Sequence, residues 1–301
     1  VLANGILFPN LHKALLIVKN FSLSSLLHPK GLLSFLIFNQ VMQMKPFRYI
    51  IIPFLLLFLF QQTHAQAELK ADFENAVKLL QTNDYLQAEI AFTDLLTKAT
   101  DDGLKKYCYI YRSLSYNGMG SYKNSIADMN KAIALDPADL ASYTDRGNAK
   151  AFAKDLNVAR QDFLFILTKD TTGKQAQAAF YFLGKIAYQQ NYFQQSVLYY
   201  DKYVALDSTD AEVYFNRGAA KDMLMDAAGS ISDYTRAIHY KPNYMEAYAN
   251  RGVAKINLLS KKGNAIPAKK QTIDACADLK RAKQLGDDTV DDMIFIHCTS
   301  K

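Results

Sequence analysis

The sequence contains few of the side chains from which active sites are usually built. It has five histidines and three cysteines in 301 residues, and from residue 66 onward only His239 and His297 remain. It has no Cys-x-x-Cys, His-Glu-x-x-His or Gly-x-Ser-x-Gly, and Gly118-Met119-Gly120 does not continue into a dinucleotide-binding fingerprint. The sequence therefore predicts no catalytic residues, no metal site and no cofactor.

Acidic residues are missing from the front of the chain, since none precedes Glu68. Met44-Lys45-Pro46-Phe47-Arg48 is basic, and residues 49–60 form an apolar run that is too short to span a bilayer comfortably. Small residues at Ala65 and Ala67 suit a signal peptidase, and no cysteine follows that would carry a lipoprotein anchor. We predict a secretory signal peptide at 44–65. Residues 1–43 are then an over-called start or, alternatively, a long membrane leader.

Removal of this segment changes the charge balance. Five of the 35 basic residues lie before residue 66, so 30 basic residues face 29 acidic ones in residues 66–301. A net charge of +1 gives no support to a nucleic-acid partner. A local basic cluster keeps a nucleic-acid or phosphate alternative open: Lys261, Lys262, Lys269, Lys270, Lys280, Arg281 and Lys283.

A small residue recurs through the rest of the chain at nearly constant spacing. Gaps of 37, 34, 37, 34 and 34 residues separate the six copies, and such a period is typical of solenoids built from stacked helix pairs. The small residues are Ala76, Ser113, Gly147, Gly184, Gly218 and Gly252. An aromatic residue stands four places earlier in the last five copies: Tyr109, Tyr143, Phe180, Tyr214 and Tyr248.

The second half of each copy carries its own pattern, with gaps of four and three that place its members on one helix face. Prolines such as Pro137 and Pro242 then end the helix. Small residues come first: Ala88, Ser125, Ala159, Ser196, Ser230 and Ala275. Bulky residues follow four places later: Phe92, Met129, Phe163, Tyr200, Tyr234 and Leu279. The last members are Leu95, Ala132, Ile166, Tyr203, Ala237 and Ala282.

This pattern resembles the tetratricopeptide repeat (TPR) over roughly residues 69–287, including a Gly-Asp-Tyr-like turn such as Asn83-Asp84-Tyr85 or Gly120-Ser121-Tyr122. The resemblance implies an all-α, right-handed superhelical solenoid within residues 66–301, closed by a capping helix at 288–298. The first copy departs from it, because Asp72 replaces the aromatic residue. The sixth copy has an insertion at 260–270, which is either a solvated loop or a binding edge. The expected repeats are 69–102, 106–139, 140–173, 177–210, 211–244 and 245–287.

The cysteines suggest how the C-terminal end is held. If Gly286 turns the chain between two antiparallel helices, Cys276 and Cys298 both lie roughly 15 to 18 Å from the turn. In an oxidising compartment this favours a disulfide that fixes the capping helix, with two buried thiols as the alternative. Cys108 is expected to be a buried apolar residue. The acids at 287–292 are expected to favour a helix N-terminus rather than to bind calcium.

The resemblance implies a protein or peptide partner bound in a concave groove lined by the first helix of each pair. Packing against the next repeat is the alternative for each residue. The clamp by which some TPR proteins hold a chaperone carboxylate is incomplete here, and the arginines at 146, 217 and 251 are expected to cover apolar surface while their heads stay wet. The predicted groove residues are Tyr107, Ile110, Thr144, Asn148, Phe152, Tyr181, Lys185, Tyr188, Phe215, Asp222 and Met223.

The sequence thus predicts a non-catalytic scaffold or adaptor similar to exported TPR proteins of the Bacteroidetes. We expect it to be periplasmic, outer-membrane-associated or secreted, with no stable membrane span after signal cleavage. Its oligomeric state is left open. The alternative is a structural subunit of an envelope assembly that is held through its convex face or its ends.

Overall fold

The computed structural model describes residues 64–260 and 267–299, and these residues are helical without any strand. The predicted leader at 1–43, nearly all of the signal peptide at 44–65 and the middle of the insertion lie outside them. The chain divides into two compact units, Val1–Ala149 and Lys150–Lys301. The α-helices are α1 (64–81), α2 (Tyr85–Lys98), α3 (Asp102–Gly118), α4 (Tyr122–Leu135), α5 (Leu140–Phe152), α6 (Leu156–Lys169), α7 (Lys174–Gln189), α8 (Phe193–Leu206), α9 (Ala211–Met223), α10 (Ala227–Tyr240), α11 (Met245–Ser260), α12 (Ile273–Gln284) and α13 (Asp291–Cys298).

The first unit is built around an aromatic core shared by its first three helices. Phe73 of α1, Phe92 of α2 and Tyr111 of α3 are all buried, and their ring centroids lie 5.5–5.8 Å apart. Helix α3 begins four residues before the predicted start of the second repeat, because Asp101 accepts a hydrogen bond from the Leu104 amide at 2.7 Å and so caps the helix earlier. Successive helices therefore bury one shared apolar interior, as stacked helix pairs require.

The second unit shows why the recurring small residues are small. A Cβ atom on Gly184 would lie 2.6 Å from the Tyr200 ring, and one on Gly218 would lie 2.8 Å from Tyr234. Across the first of these contacts, the Ser196 hydroxyl donates a hydrogen bond to the Gly184 carbonyl at 2.9 Å. The two helices of a pair thus approach closely where the bulky residue of one faces the glycine of the other. The predicted all-α fold of paired helices is confirmed.

The corner between the two helices of a pair has the same backbone conformation in five of the repeats. The first residue of the predicted turn adopts the left-handed conformation, with φ between 58° and 71°, and the next residue precedes the second helix. This conformation suits glycine and asparagine, whereas a lysine or a methionine holds it only at some energetic expense. The five left-handed residues are Asn83, Gly120, Lys154, Asn191 and Met225.

Cations on the first helix of a pair hold a buried aspartate on the second helix, an arrangement that we call the Arg–Asp clamp. The Arg217 guanidinium donates to both carboxylate oxygens of Asp233 at 2.6 and 2.9 Å, and the Lys221 ammonium lies 2.7 Å from the same carboxylate. The Asp233 side chain is only 3% exposed. Equivalent clamps join Arg112 to Asp128, and Arg251 with Lys255 to Asp278.

The expectation that these arginine heads stay in water is wrong for Arg217 and Arg251. Their side chains are 13% and 15% exposed, because the heads reach the buried aspartates. The expected apolar contact does occur, since the guanidinium of Arg217 lies 5.3 Å from the ring centroid of Tyr214. The recurring arginine therefore ties the two helices of its own pair together and covers the preceding aromatic residue.

The C-terminal end consists of α12, a 3-10 turn at Asp288–Val290 and the short helix α13. Val290 is buried against α12, and Asp287 accepts hydrogen bonds from the Thr289 amide and hydroxyl at 3.0 and 2.5 Å. This acid therefore caps the turn, as the sequence predicts. At the other side of α12, the described end of the insertion contains a 3-10 turn at Lys269–Gln271.

Candidate functional site

In the first unit, the predicted groove residues lie on α3 and α5 and are mostly covered. Tyr107 is 7% exposed and belongs to the aromatic core, with Ile110 packed against the same cluster. Thr144 is 8% exposed. The surface of these three side chains that remains for direct contact with a partner is small. Their place in a binding surface stays a prediction, with packing as their evident role.

Two buried amide oxygens in the first unit have no hydrogen-bond donor within the described residues. They belong to Asn148, which was predicted as a groove residue, and to Asn117. Buried polar atoms are nearly always paired with protein, water or ligand. Asn117 stands four places after Ser113, as the predicted groove residues Tyr188 and Asp222 stand four places after Gly184 and Gly218. The same offset applied to every repeat would have included Asn117.

In the second unit, Tyr181 and Lys185 of α7 form one polar cluster with Glu212 of α9. The Tyr181 hydroxyl donates to Glu212, and the Lys185 ammonium lies 3.4 Å from the Tyr181 oxygen and 5.1 Å from its ring centroid. Burial, followed by the hydrogen bond to Glu212, raises the pKa of Tyr181. Tyr181 therefore remains a neutral hydrogen-bonding group, with an aromatic face beside a cation.

A second cluster lies on α9 and its neighbours. Phe215 packs against the rings of Tyr234 and Tyr244, with centroids 5.7 and 5.0 Å away. The Tyr234 hydroxyl donates to Asp222 at 2.6 Å. Burial raises the pKa of Asp222, although hydrogen bonds from Ser230 and Tyr234 act in the opposite direction. The hydrogen bond from Tyr234 thus holds the Asp222 carboxyl in a fixed orientation.

One further amide in the second unit lies outside the predicted groove residues. The Asn216 nitrogen on α9 is buried and has no acceptor within the described residues, whereas the equivalent Asn250 nitrogen lies 3.4 Å from the Tyr234 hydroxyl. Both stand two places before the repeat glycine, a position that none of the predicted groove residues occupies in its own repeat. Asn216 therefore offers a donor that a peptide carbonyl or carboxylate can satisfy.

The remaining predicted groove residues are more open. Phe152 and Met223 are 46% and 52% exposed, and Tyr188 packs edge-on against Phe193 at 5.4 Å. Cys276 of α12 and Cys298 of α13 face each other with Cα atoms 5.5 Å apart. The structure thus brings together Tyr181 with Lys185 and Phe215 with its aromatic neighbours, and it leaves Phe152 and Met223 at the surface.

Two absences concern the described part of the chain alone. No group of three or more His, Cys, Asp or Glu side chains there is arranged to hold a metal ion. No described helix has both the length and the apolar character of a membrane span. Asp210 caps α9 by accepting from the Glu212 amide at 2.8 Å, so this acid has a structural role.

Comparison with known proteins bears on the fold. No protein-family model and no curated protein matches the chain. Among solved structures, PilF of Pseudomonas aeruginosa aligns with a TM-score of 0.60 at 14% identity, covering 77% of this chain and 98% of PilF. The C-terminal part of a TPR protein of Cytophaga hutchinsonii gives 0.57 at 20% identity, covering 76% and 96%. YrrB, a TPR protein with an unusual peptide-binding site, gives 0.50 at 20% identity, covering 66% and 93%.

These similarities, together with the helix pairs and their repeating contacts, define the class of the molecule. The protein has the tetratricopeptide-repeat fold, and the predicted resemblance is confirmed at that level. The two weakest positions of the pattern, Asp72 in the first copy and the insertion in the sixth, do not disturb the helix pairing around them.

Proposed function

We propose that the protein is a non-catalytic interaction scaffold that binds an extended peptide segment of a partner protein. The observation that carries the proposal is the first-helix surface of the second unit, which combines aromatic rings and a cation with a buried amide nitrogen that has no acceptor within the described residues. Tyr181, Lys185 and Phe215 supply the rings and the cation, and Asn216 supplies the amide donor. The peptide-binding site named for YrrB, which shares the fold, is consistent with this role.

The proposed ligand is a peptide because the site offers both apolar faces and single polar atoms. An extended peptide presents a carbonyl and an amide at each residue, and its carbonyl suits an isolated donor such as Asn216. The aromatic rings would take its apolar side chains at low conformational expense.

A crosslinking pull-down from native envelopes, read by mass spectrometry, tests the proposal. Tyr181→Ala combined with Tyr188→Ala should abolish recovery of the crosslinked partner while helicity stays unchanged. The matched control is Leu86→Ala with Leu198→Ala, which removes two side chains that are 57% and 47% exposed on second helices. Equal recovery with both double variants would contradict a first-helix binding site.

We also propose that the protein is exported to the cell envelope, on the basis of the signal pattern at 44–65. Cleavage would leave a chain that begins near Gln66. Sequencing the N-terminus of the protein recovered from the envelope tests this, and a retained Val1 or Met44 would contradict it. In such an oxidising compartment we propose that Cys276 and Cys298 form a disulfide, since their Cα separation of 5.5 Å lies at the usual value.

A structural role in an envelope assembly is the second candidate, and the C-terminal end of the second unit favours it. Ile273, Phe295 and Ile296 there are 66%, 74% and 51% exposed, which suits a contact made through an end of the protein. Size-exclusion chromatography with light scattering distinguishes the two roles. A monomer at micromolar concentration contradicts an obligate assembly, whereas a stable higher oligomer supports it.

A further inference from the structure

The fourth repeat, formed by α7 and α8, lacks the Arg–Asp clamp altogether. Leu183 stands where Arg217 stands in the next repeat, Tyr199 replaces the aspartate, and Ala187 replaces the lysine. The polar partner on the preceding second helix is also replaced, since Leu164 occupies the position that Asp201 holds for Arg217. All the members of the clamp have therefore been exchanged together for uncharged residues.

The exchange leaves a cleft of about 610 Å³ in place of the ion pairs. Leu183, Ala187 and Tyr199 all line it, and the small side chain of Ala187 leaves space at its floor. The turn between α7 and α8 forms its rim, with Tyr192 64% exposed, and Leu224 of the next turn is 40% exposed beside it. The complete lining is Arg160, Leu183, Ala187, Gln190, Asn191, Tyr192, Phe193, Gln194, Gln195, Tyr199 and Leu224.

Arg160 of α6 carries the only charge in this lining. Comparison with the equivalent position in the first repeat explains why Arg160 has no hydrogen-bond partner within the described residues. In the first unit, Glu89 occupies the equivalent position and accepts a hydrogen bond at 3.0 Å from Tyr116, which stands 27 places later. The residue 27 places after Arg160 is Ala187, which has no polar group. Within the described residues, Arg160 makes neither an ion pair nor a hydrogen bond, and its charge faces the cleft.

We propose that this cleft is a second binding site, separate from the first-helix surface, which takes an aromatic side chain flanked by a carboxylate from an acidic peptide segment of a partner protein. Leu183, Ala187 and Phe193 give the aromatic ring an apolar floor, and Tyr192 and Tyr199 give it walls. Arg160 selects a carboxylate by charge complementarity, and the glutamine and asparagine amides at the rim bind the peptide backbone.

The test uses the full chain and three tripeptides, capped at both ends, in calorimetry and saturation-transfer NMR. The tripeptides are acetyl-Glu-Phe-Glu-amide, acetyl-Gln-Phe-Gln-amide and acetyl-Glu-Ala-Glu-amide. The Glu-Phe-Glu peptide should bind roughly tenfold or more tightly than Glu-Ala-Glu, because a phenyl ring becomes buried. It should bind about two- to fivefold more tightly than Gln-Phe-Gln, because a half-exposed ion pair adds little.

Variants locate the binding. Ala187→Tyr should abolish binding by filling the cleft, and Ala187→Ser should leave it intact. Tyr192→Ser changes an exposed residue at the rim, so it should leave the core intact and weaken binding. It provides the test if Ala187→Tyr fails to fold. Arg160→Gln should remove the preference for Glu-Phe-Glu over Gln-Phe-Gln, whereas Lys185→Gln on the first-helix surface should leave that preference unchanged.

Several results would overturn the proposal. One is the absence of binding by Glu-Phe-Glu at millimolar concentration. A second is binding that survives both Ala187→Tyr and Tyr192→Ser, or that depends on Lys185 instead of Arg160. A third is binding of the neutral disaccharide cellobiose without any binding of the peptides, which would assign the cleft to a saccharide.

Loss of the first-helix function in Tyr181→Ala with retained tripeptide binding would show that the two sites are independent.

Discussion

At the scale of single residues, the buried aspartates of the Arg–Asp clamps are the most consequential side chains. Asp233 and Asp278 are each held by an arginine and a lysine from the same first helix. A buried ion pair gains little over a well-packed apolar contact, but the loss of one partner leaves a charge without compensation. The second, fifth and sixth repeats therefore keep the aspartate together with its arginine, whereas the fourth repeat has neither.

We predict that Arg217→Leu lowers the free energy of unfolding by about 2–4 kcal/mol, because Asp233 then keeps only Lys221. The triple change Arg217→Leu, Lys221→Ala and Asp233→Tyr copies the fourth repeat and should recover part of this loss. Urea denaturation followed by circular dichroism measures both. Arg160→Leu is the matched control, with an expected change within about 0.5 kcal/mol. A triple variant less stable than Arg217→Leu would contradict the explanation.

A second prediction at this scale concerns Asp145 of α5. Burial, with a smaller contribution from the charge of Asp139, raises the pKa of Asp145 to about 7, compared with roughly 3.9 in an unfolded chain. Between these two pKa values the folded state holds a proton that the unfolded state releases. The free energy of unfolding therefore falls as the pH rises from roughly 3.9 to about 7.

Asp145→Asn removes that dependence. Relative to the wild type, the variant should gain on the order of 2 kcal/mol of stability between pH 5 and pH 8. Denaturation midpoints measured across this range test the expectation. A difference between Asp145→Asn and the wild type that stays constant across this range would show that the pKa of Asp145 is not raised.

At the scale of elements, the close contact between the two helices of a pair depends on which residues face each other. The glycine of the fourth repeat meets a tyrosine ring, while the second repeat combines Ser113 with Met129 at the same two positions. A side chain with a Cβ atom is thus accommodated where the opposite residue is flexible, and the two positions must be chosen together.

We predict that Gly184→Ala destabilises the protein by about 1–2 kcal/mol, since overpacking against Tyr200 exceeds the gain in helix propensity. Adding Tyr200→Met, which copies the second repeat, should restore part of the loss. Thermal unfolding of the two variants provides the measurement. A Cβ atom added at Gly184 would lie only 2.6 Å from the Tyr200 ring. If Gly184→Ala alone stabilises the protein, the two helices can accommodate that atom and the explanation by close packing is wrong.

The sequence predicts the elements well and the polar contacts poorly, for physical reasons. Small and bulky residues at fixed spacing, such as Gly218 and Tyr234, are imposed by close helix packing in every repeat, so their period is visible. The Arg217–Asp233 clamp joins residues 16 places apart on different helices and is absent from some repeats, so that no single-helix pattern reports it. Asn216 and Asn117 are absent from the predicted groove residues, because a buried amide atom without a hydrogen-bond partner is a property of three-dimensional surroundings.

At the scale of the whole molecule, the C-terminal end is distinguished by two cysteines that lie close enough to form a disulfide. Cys276 and Cys298 are 22 residues apart in sequence, and closing a loop of this length stabilises a protein by about 3 kcal/mol in the chain-entropy account. The third cysteine, Cys108, is buried, and burial raises its pKa to about 12. It is therefore an inert thiol in the folded protein.

We predict that labelling under denaturing conditions without reductant modifies Cys108 alone, and that all three cysteines react after reduction. Mass spectrometry of the labelled protein counts the labels. A Cys108→Ser variant is the control and should take up none without reductant. The reduced protein should also lose the structure of α13 at lower urea concentration than the oxidised one. Three labels without reductant would contradict the disulfide.

The hydrogen bonds of Arg217 to two different helices limit how repeats of this protein can be joined into chimeras. Its guanidinium bonds Asp233 on the helix that follows and Asp201 on the helix that precedes, at 2.6 and 2.7 Å, so the smallest fragment with every acceptor in place is α8–α9–α10 rather than one hairpin. Chimeras joined at the boundary between α8 and α9 would separate the Arg217 donor from its Asp201 acceptor. Arrays lengthened from this sequence should therefore copy three consecutive helices and overlap the copies by one.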